Sequence, residues 1–167
     1  MKFRFLNIIL FLLGFQGYAQ ESLQDLLSIY NTRSIPYISV EELRMAQINE
    51  EVIILDSREY SEFNISKIDG AVYVGFSEFS TEELIKEIPL TDKMVVVYCS
   101  LGIRSEEIGE KLKKSGYGNV RNLYGGIFEW KNKDYPIFDS KGNETDKVHP
   151  YSKAWGKWLL KGEKVYE

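Results

Sequence analysis

The chain has 167 residues, 44% of them apolar and 14% aromatic, enough to bury a core and to exclude a wholly disordered protein. Its 25 acidic residues outnumber 21 basic ones, and a net charge of −4 lacks the basic footprint of a nucleic-acid binder. One cysteine excludes an internal disulfide and a multi-cysteine zinc site, and one histidine leaves little for a histidine-based metal centre.

Residues 1–19 have the three parts of a secretory signal. Lys2 and Arg4 give a positive start, Phe5 to Phe15 is almost wholly apolar, and Gly17 and Ala19 supply small residues two apart. The apolar stretch is shorter than the ~20 residues of a membrane span, so cleavage after Ala19 is expected rather than stable membrane insertion. The expected mature chain starts at Gln20 and is exported, periplasmic or secreted. In such a compartment a lone cysteine is a candidate reactive thiol.

Residues 20–34 are expected to hold a short amphipathic helix, because Leu23, Leu26, Leu27 and Tyr30 recur at helical spacing. Tyr37 to Ser39 reads as a short strand. Val40 to Ala46 reads as a helix with Ser39 and Glu42 in capping-box positions. Val52 to Leu55, ending at Asp56, and Met94 to Tyr98, ending at Cys99, are continuous apolar runs. Such runs suit strands buried on both faces of a parallel sheet. Ala71–Val74 and Asn119–Asn122 are shorter strand candidates.

Helices are expected at Glu59–Phe63, Thr81–Glu87 and Arg104–Lys114. The last has acidic residues in its first turn and lysines toward its end, which complements the helix dipole, and Gly116 can terminate it. Strands alternating with helices over residues 35–140 imply a single α/β domain. Residues 141–167 read as a linker followed by an amphipathic helix. The polar stretch Asp139–Lys147 marks the linker, and Trp155, Trp158 and Leu159 share a helical face expected to dock on the domain. His149 reads as a surface histidine.

The strongest local signal is Tyr98-Cys99-Ser100-Leu101-Gly102-Ile103-Arg104-Ser105. A buried strand ends, a cysteine follows, and a helix begins within a few residues. Backbone N–H groups of such a turn converge near the helix N-terminus, where an anion is favoured. Helix N-termini and nearby cations lower a thiol pKa, and Arg104 supplies the cation. Gly102 permits the tight curl. The pattern describes a cradle for an anionic sulfur, against the alternative of an inert buried cysteine.

Cys99 to Arg104 resembles the active-site loop of the rhodanese-like domains. The resemblance extends to Ile38–Leu43, to Asp56-Ser57-Arg58 and to Ile68-Asp69-Gly70-Ala71. It continues through Gly116-Tyr117, Val120, Leu123, Gly125-Gly126, Trp130 and Pro136. Ser66-Lys67 and Asp69 depart from the family's usual turn. The resemblance implies a doubly wound parallel sheet with helices on both faces, and a cysteine that carries sulfur as a persulfide. It implies that Cys99 is the nucleophile and that Arg104 binds an anionic donor and helps lower the thiol pKa. Ser100, Leu101, Gly102 and Ile103 are implied to hold the persulfide, with Arg58 as a further substrate contact and Asp56 as structural support. The implied partners are a small sulfur donor such as thiosulfate and a thiol or cyanide acceptor, with a periplasmic redox protein as a further partner. No cofactor and no metal are implied. A related phosphatase loop is one residue longer than the four residues between Cys99 and Arg104, so the spacing favours sulfur. A sulfur-carrier or redox-partner module of the same fold is the other reading.

Overall fold

The computed structural model describes residues 22–166. The expected signal segment, residues 1–19, lies outside the described residues. Helix α1 (Leu23–Tyr30) starts at Ser22, whose hydroxyl accepts the Asp25 N–H while the Asp25 carboxylate accepts from Ser22. It buries Leu26 and Leu27, whereas Tyr30 points to solvent. Helix α2 (Val40–Ile48) has the capping box expected from Ser39 and Glu42.

Five strands form one parallel sheet: β1 (Tyr37–Ile38), β2 (Val52–Asp56), β3 (Val72–Tyr73), β4 (Met94–Tyr98) and β5 (Val120–Leu123), in the order β1-β5-β4-β2-β3. Side chains alternate across a strand, and here both sides are covered. Ile54, Val96 and Tyr98 face a core shared with Leu43 of α2 and with Ile127, Phe128 and Trp130 of α6 (Gly126–Asn132). Leu55, Val95 and Val97 face a second core. That core includes Leu84 of α4 (Thr81–Glu87) and Ile108 and Leu112 of α5 (Arg104–Lys114). Helix α3 (Tyr60–Ile65) links β2 to β3. The chain leaves β2 toward β3 and leaves β4 toward β5. The crevice at this reversal, at the carboxyl ends of β2 and β4, is where open α/β sheets place their sites.

The C-terminal part differs from expectation in two ways. The segment read as a linker supplies β7 (Glu144–Thr145), which pairs with β6 (Ile137–Phe138) just before it. Its turn is closed by the Asp139 carboxylate, which accepts from the N–H groups of Lys141 and Asn143. The expected α-helix over residues 151–160 is only a 3₁₀ turn, Trp155–Trp158, between β8 (Lys147–Val148) and β9 (Glu163–Lys164). Pro150 precedes it, Tyr151 sits at φ +62°, and Gly156 interrupts the apolar face, so a regular helix has neither start nor interior. The segment still docks: Val148 and Leu159 lie in the same core as Trp130.

Candidate active site

Cys99 follows β4 directly and is fully buried. Its Sγ accepts the Gly102 N–H at 3.1 Å, and the Ser105 hydroxyl lies 3.5 Å away. Both groups stand at the start of α5, whose N-terminus favours negative charge. Gly102 adopts φ +101°, and a Cβ there would lie 3.1 Å from the Leu123 carbonyl. Its own carbonyl is clamped by the side-chain amides of Asn31 and Asn122, each at 2.8 Å. Asn122 in turn accepts from Ser105 at 2.8 Å.

The start of the loop is held by α6. Ile127 donates to the Cys99 carbonyl at 3.0 Å, and Phe128 to the Ser100 carbonyl at 3.2 Å. This approach requires Gly126, since a Cβ there would fall 2.2 Å from the Cys99 carbonyl oxygen. Gly126 also adopts φ +57°, a conformation glycine takes without strain.

Arg104 is close to the sulfur loop, as expected, but its guanidinium is already engaged. It binds Glu62 of α3 through two nitrogens at 2.7 and 2.8 Å, and the Ser100 hydroxyl at 3.0 Å. Ser100 closes the triangle by donating to Glu62 at 2.9 Å. The Tyr151 ring lies 4.4 Å from the guanidinium carbon. Burial pushes the Glu62 carboxyl up, and the Arg104 hydrogen bond and charge outweigh it, leaving it below the usual glutamate range. Arg104 therefore fastens the sulfur loop to α3, with its charge paired rather than offered to a donor. Ser100 is likewise committed to that triangle.

None of the hydrogen bonds of Arg58 goes to the loop. Asp56 and Arg58 form a fully buried bidentate pair, closest at 2.6 Å, and Arg58 also donates to the Ser66 carbonyl at 2.5 Å. Tyr98 donates to Asp56 and accepts the Ile68 N–H at 3.2 Å. Burial, then the Asp56 charge, push the Tyr98 hydroxyl well above its ordinary value. The pair ties the end of β2 to the turn before β3. Arg58 is thus a structural partner of Asp56, because a fully buried guanidinium needs its counter-charge inside the protein. Leu101 points into the core, so it contributes backbone only, whereas Ile103 is half-buried at a surface recess.

Sequence reasoning missed Glu62, Ser105, Asn31, Asn122 and Tyr151. Glu62, Asn31, Asn122 and Tyr151 reach the loop from α3, the end of α1, β5 and the C-terminal segment, and local spacing does not pair residues so far apart; Ser105 stands within the run itself, but its approach to the sulfur was not read. Gly126 was recognised only as part of a pattern, without its contact to Cys99.

A cysteine at the end of a central parallel strand, with a glycine-curled loop and a helix behind it, defines a single-cysteine α/β domain with its candidate site at the strand end. The chain belongs to the rhodanese-like domain family, whose family model matches residues 39–133. The tRNA uridine(34) hydroxylase of Listeria monocytogenes serotype 4a is 36% identical over 100 residues, spanning 54% of this chain and 30% of that protein. The chain thus matches under a third of the length of this curated relative. A rhodanese-related protein from Thermoplasma volcanium superimposes with a TM-score of 0.52 at 27% identity, covering 61% of this chain and 96% of that one. The thiosulfate sulfurtransferase of Pseudomonas aeruginosa shares the fold, with a TM-score of 0.59, 22% identity, and coverage of 76% of this chain and 24% of its own. Among the described residues no helix is long and apolar enough to cross a membrane.

Proposed function

We propose that the protein is a sulfurtransferase working through a persulfide on Cys99. The observation that carries the reading is the Gly102 N–H held 3.1 Å from Cys99 Sγ, with the Ser105 hydroxyl beside it, at the start of a helix. A thiolate there attacks the outer sulfur of a sulfane donor such as thiosulfate. The S–S bond of the donor breaks, sulfite leaves with the electron pair, and Cys99 carries one more sulfur. The Gly102 N–H and the helix N-terminus favour the sulfur anion, the Ser105 proton being given to Asn122. Attack by cyanide or a thiolate on that sulfur then returns the Cys99 thiolate.

Three loop residues have a place in this scheme, supported by two asparagines. Gly102 aims a donor at the sulfur, Arg104 and Ser100 hold the loop through Glu62, and Asn31 and Asn122 fix the carbonyl of Gly102. Intact-protein mass spectrometry after exposure to thiosulfate or polysulfide tests the scheme. The wild type gains one sulfur and loses it to cyanide, and Cys99→Ser gains none. Failure of the wild type to gain sulfur from any sulfane donor overturns it.

A further inference from the structure

Two polar side chains run on from the sulfur, Ser105 and then Asn122, and both are fully buried. The Ser105 hydroxyl has one proton and two groups within its reach: Asn122 Oδ1 at 2.8 Å and Cys99 Sγ at 3.5 Å. Asn122 decides between them. Its amide nitrogen donates to the Gly102 carbonyl at 2.8 Å, and a flipped amide would set oxygen against that carbonyl. Oδ1 is thereby fixed on Ser105, its single donor among the described residues. The proton goes to the nearer and stronger acceptor, and an oxygen lone pair is left facing Sγ.

This direction suits one protonation state of Cys99. A thiol donates to Ser105, which donates in turn to Asn122, and each bond of such a chain strengthens the next. A thiolate meets a lone pair there instead of a proton. The hydroxyl can turn to the sulfur only by leaving Oδ1 buried without a donor. The Gly102 N–H, at 3.1 Å, favours the anion and opposes this bias. The charged groups that contact the loop are Arg104 of α5 and Glu62 of α3, and they pair with each other. Asp56 and Arg58 form a second closed pair at Tyr98. Ser105 and Asn122 are uncharged, so they set the hydrogen bonding of the sulfur and leave these charges as they are.

We propose that Asn122 is a positioning residue that turns the Ser105 hydroxyl away from Cys99 and so biases the site toward keeping its sulfur over passing it on, a proposal that rests on the sulfur-transfer reading above. In the passing step, cyanide or an acceptor thiolate attacks the outer sulfur of the Cys99 persulfide. The new bond forms on the acceptor, the Cys99–sulfur bond breaks, and its electron pair leaves on Cys99 Sγ. A less stabilised thiolate leaves more slowly. Ser105, held by Asn122, offers it no proton.

The test compares the full chain with Ser105→Ala, Asn122→Leu and the double variant. Ultraviolet absorbance of the thiolate, taken against Cys99→Ser, gives the pH midpoint of Cys99 ionisation without a reagent having to reach the buried sulfur. Ser105→Ala removes the lone pair and is expected to lower the midpoint by about half a unit to one unit. Asn122→Leu frees the hydroxyl to donate to the sulfur and lowers the midpoint further, and the double variant returns to the value of Ser105→Ala. Persulfides loaded with polysulfide and followed by mass spectrometry then lose sulfur to cyanide about two- to fivefold faster in both single variants. A midpoint raised or unmoved in Ser105→Ala overturns the proposal, and this small change gives the sign even if Asn122→Leu does not fold. Uptake and release of sulfur by the wild type with unmoved midpoints overturns the role of Asn122 and leaves the transfer reading intact. Midpoints in the expected order in a protein that takes up no sulfur keep the hydrogen-bond assignment and overturn its role in transfer.

Discussion

The Glu62–Arg104 pair is the contact on which the placement of the sulfur loop most depends. Its side chains are 1% and 7% exposed, so removing either partner strands a charge away from water. Breaking a buried pair in this way costs about 3–5 kcal/mol. Glu62→Leu and Arg104→Met are each expected to lose that much, with about 1 kcal/mol of it from the one hydrogen bond that Ser100 loses. For a chain of this size the loss lowers Tm by about 6–20 °C. The double variant replaces the pair with apolar side chains and strands no charge, so it is expected to lose less than either single variant. Urea denaturation of the four proteins measures this as a coupling energy. Additive losses, or single losses below about 1 kcal/mol as in exposed pairs, refute the reasoning. Persulfide loading adds a second readout. If Arg104 acts by fastening the loop, Glu62→Leu and Arg104→Met impair loading alike. If Arg104 instead binds the donor, Glu62→Leu frees it and loading survives in that variant alone.

Acid titration probes the same pair. The folded-state pKa of Glu62 lies below its ordinary value, so its contribution is complete above pH ~4.3 and is lost as pH falls through the lower folded value. The acid limb of a stability–pH curve is therefore expected to flatten in the Glu62→Leu/Arg104→Met variant. Gly126→Ala places a Cβ 2.2 Å from the Cys99 carbonyl at a left-handed position and is expected to cost more than about 2 kcal/mol with loss of loading. Gly70→Ala, with the same hand of backbone but open space, is expected to cost only about 1 kcal/mol in the same urea assay. Tyr98→Phe removes the donor to Asp56 and the acceptor of the Ile68 N–H, and denaturation is expected to show a loss of about 1–3 kcal/mol with loading retained.

The main sheet was legible because its signals are local. Val52–Asp56 and Met94–Tyr98 announce themselves as unbroken apolar runs, and Arg104–Lys114 by its charge order and terminal glycine. Ser39 and Glu42 sit three residues apart and cap α2 as their spacing requires. Helix α6 went unread because a glycine pair opens it, with Gly125 in the left-handed region at its start, and because it runs for only seven residues. The tail was misread because Trp155, Trp158 and Leu159 recur at helical spacing, while Tyr151 and Gly156 forbid the helix. At the site, Cys99 and Gly102 were plain in the sequence. The partners of Arg104 and Arg58 were not: charge along a chain shows that a cation is present, not which carboxylate the fold turns toward it.

The loop around Cys99 is closed by residues from both ends of the described chain. Asn31 stands 71 positions before the Gly102 carbonyl it holds, and Tyr151 stacks on Arg104 from beyond the sheet. Contacts so distant in sequence form late, because the chain between them must first be ordered. During synthesis the thiol leaves the ribosome before Ile127, Phe128 and Tyr151 have emerged to enclose it. For that interval Cys99 is an ordinary exposed cysteine, open to oxidants and to other thiols. On the proposed scheme sulfur loading becomes a property of the finished molecule, and a chain truncated before Gly126 carries Cys99 without the contacts that hold its loop.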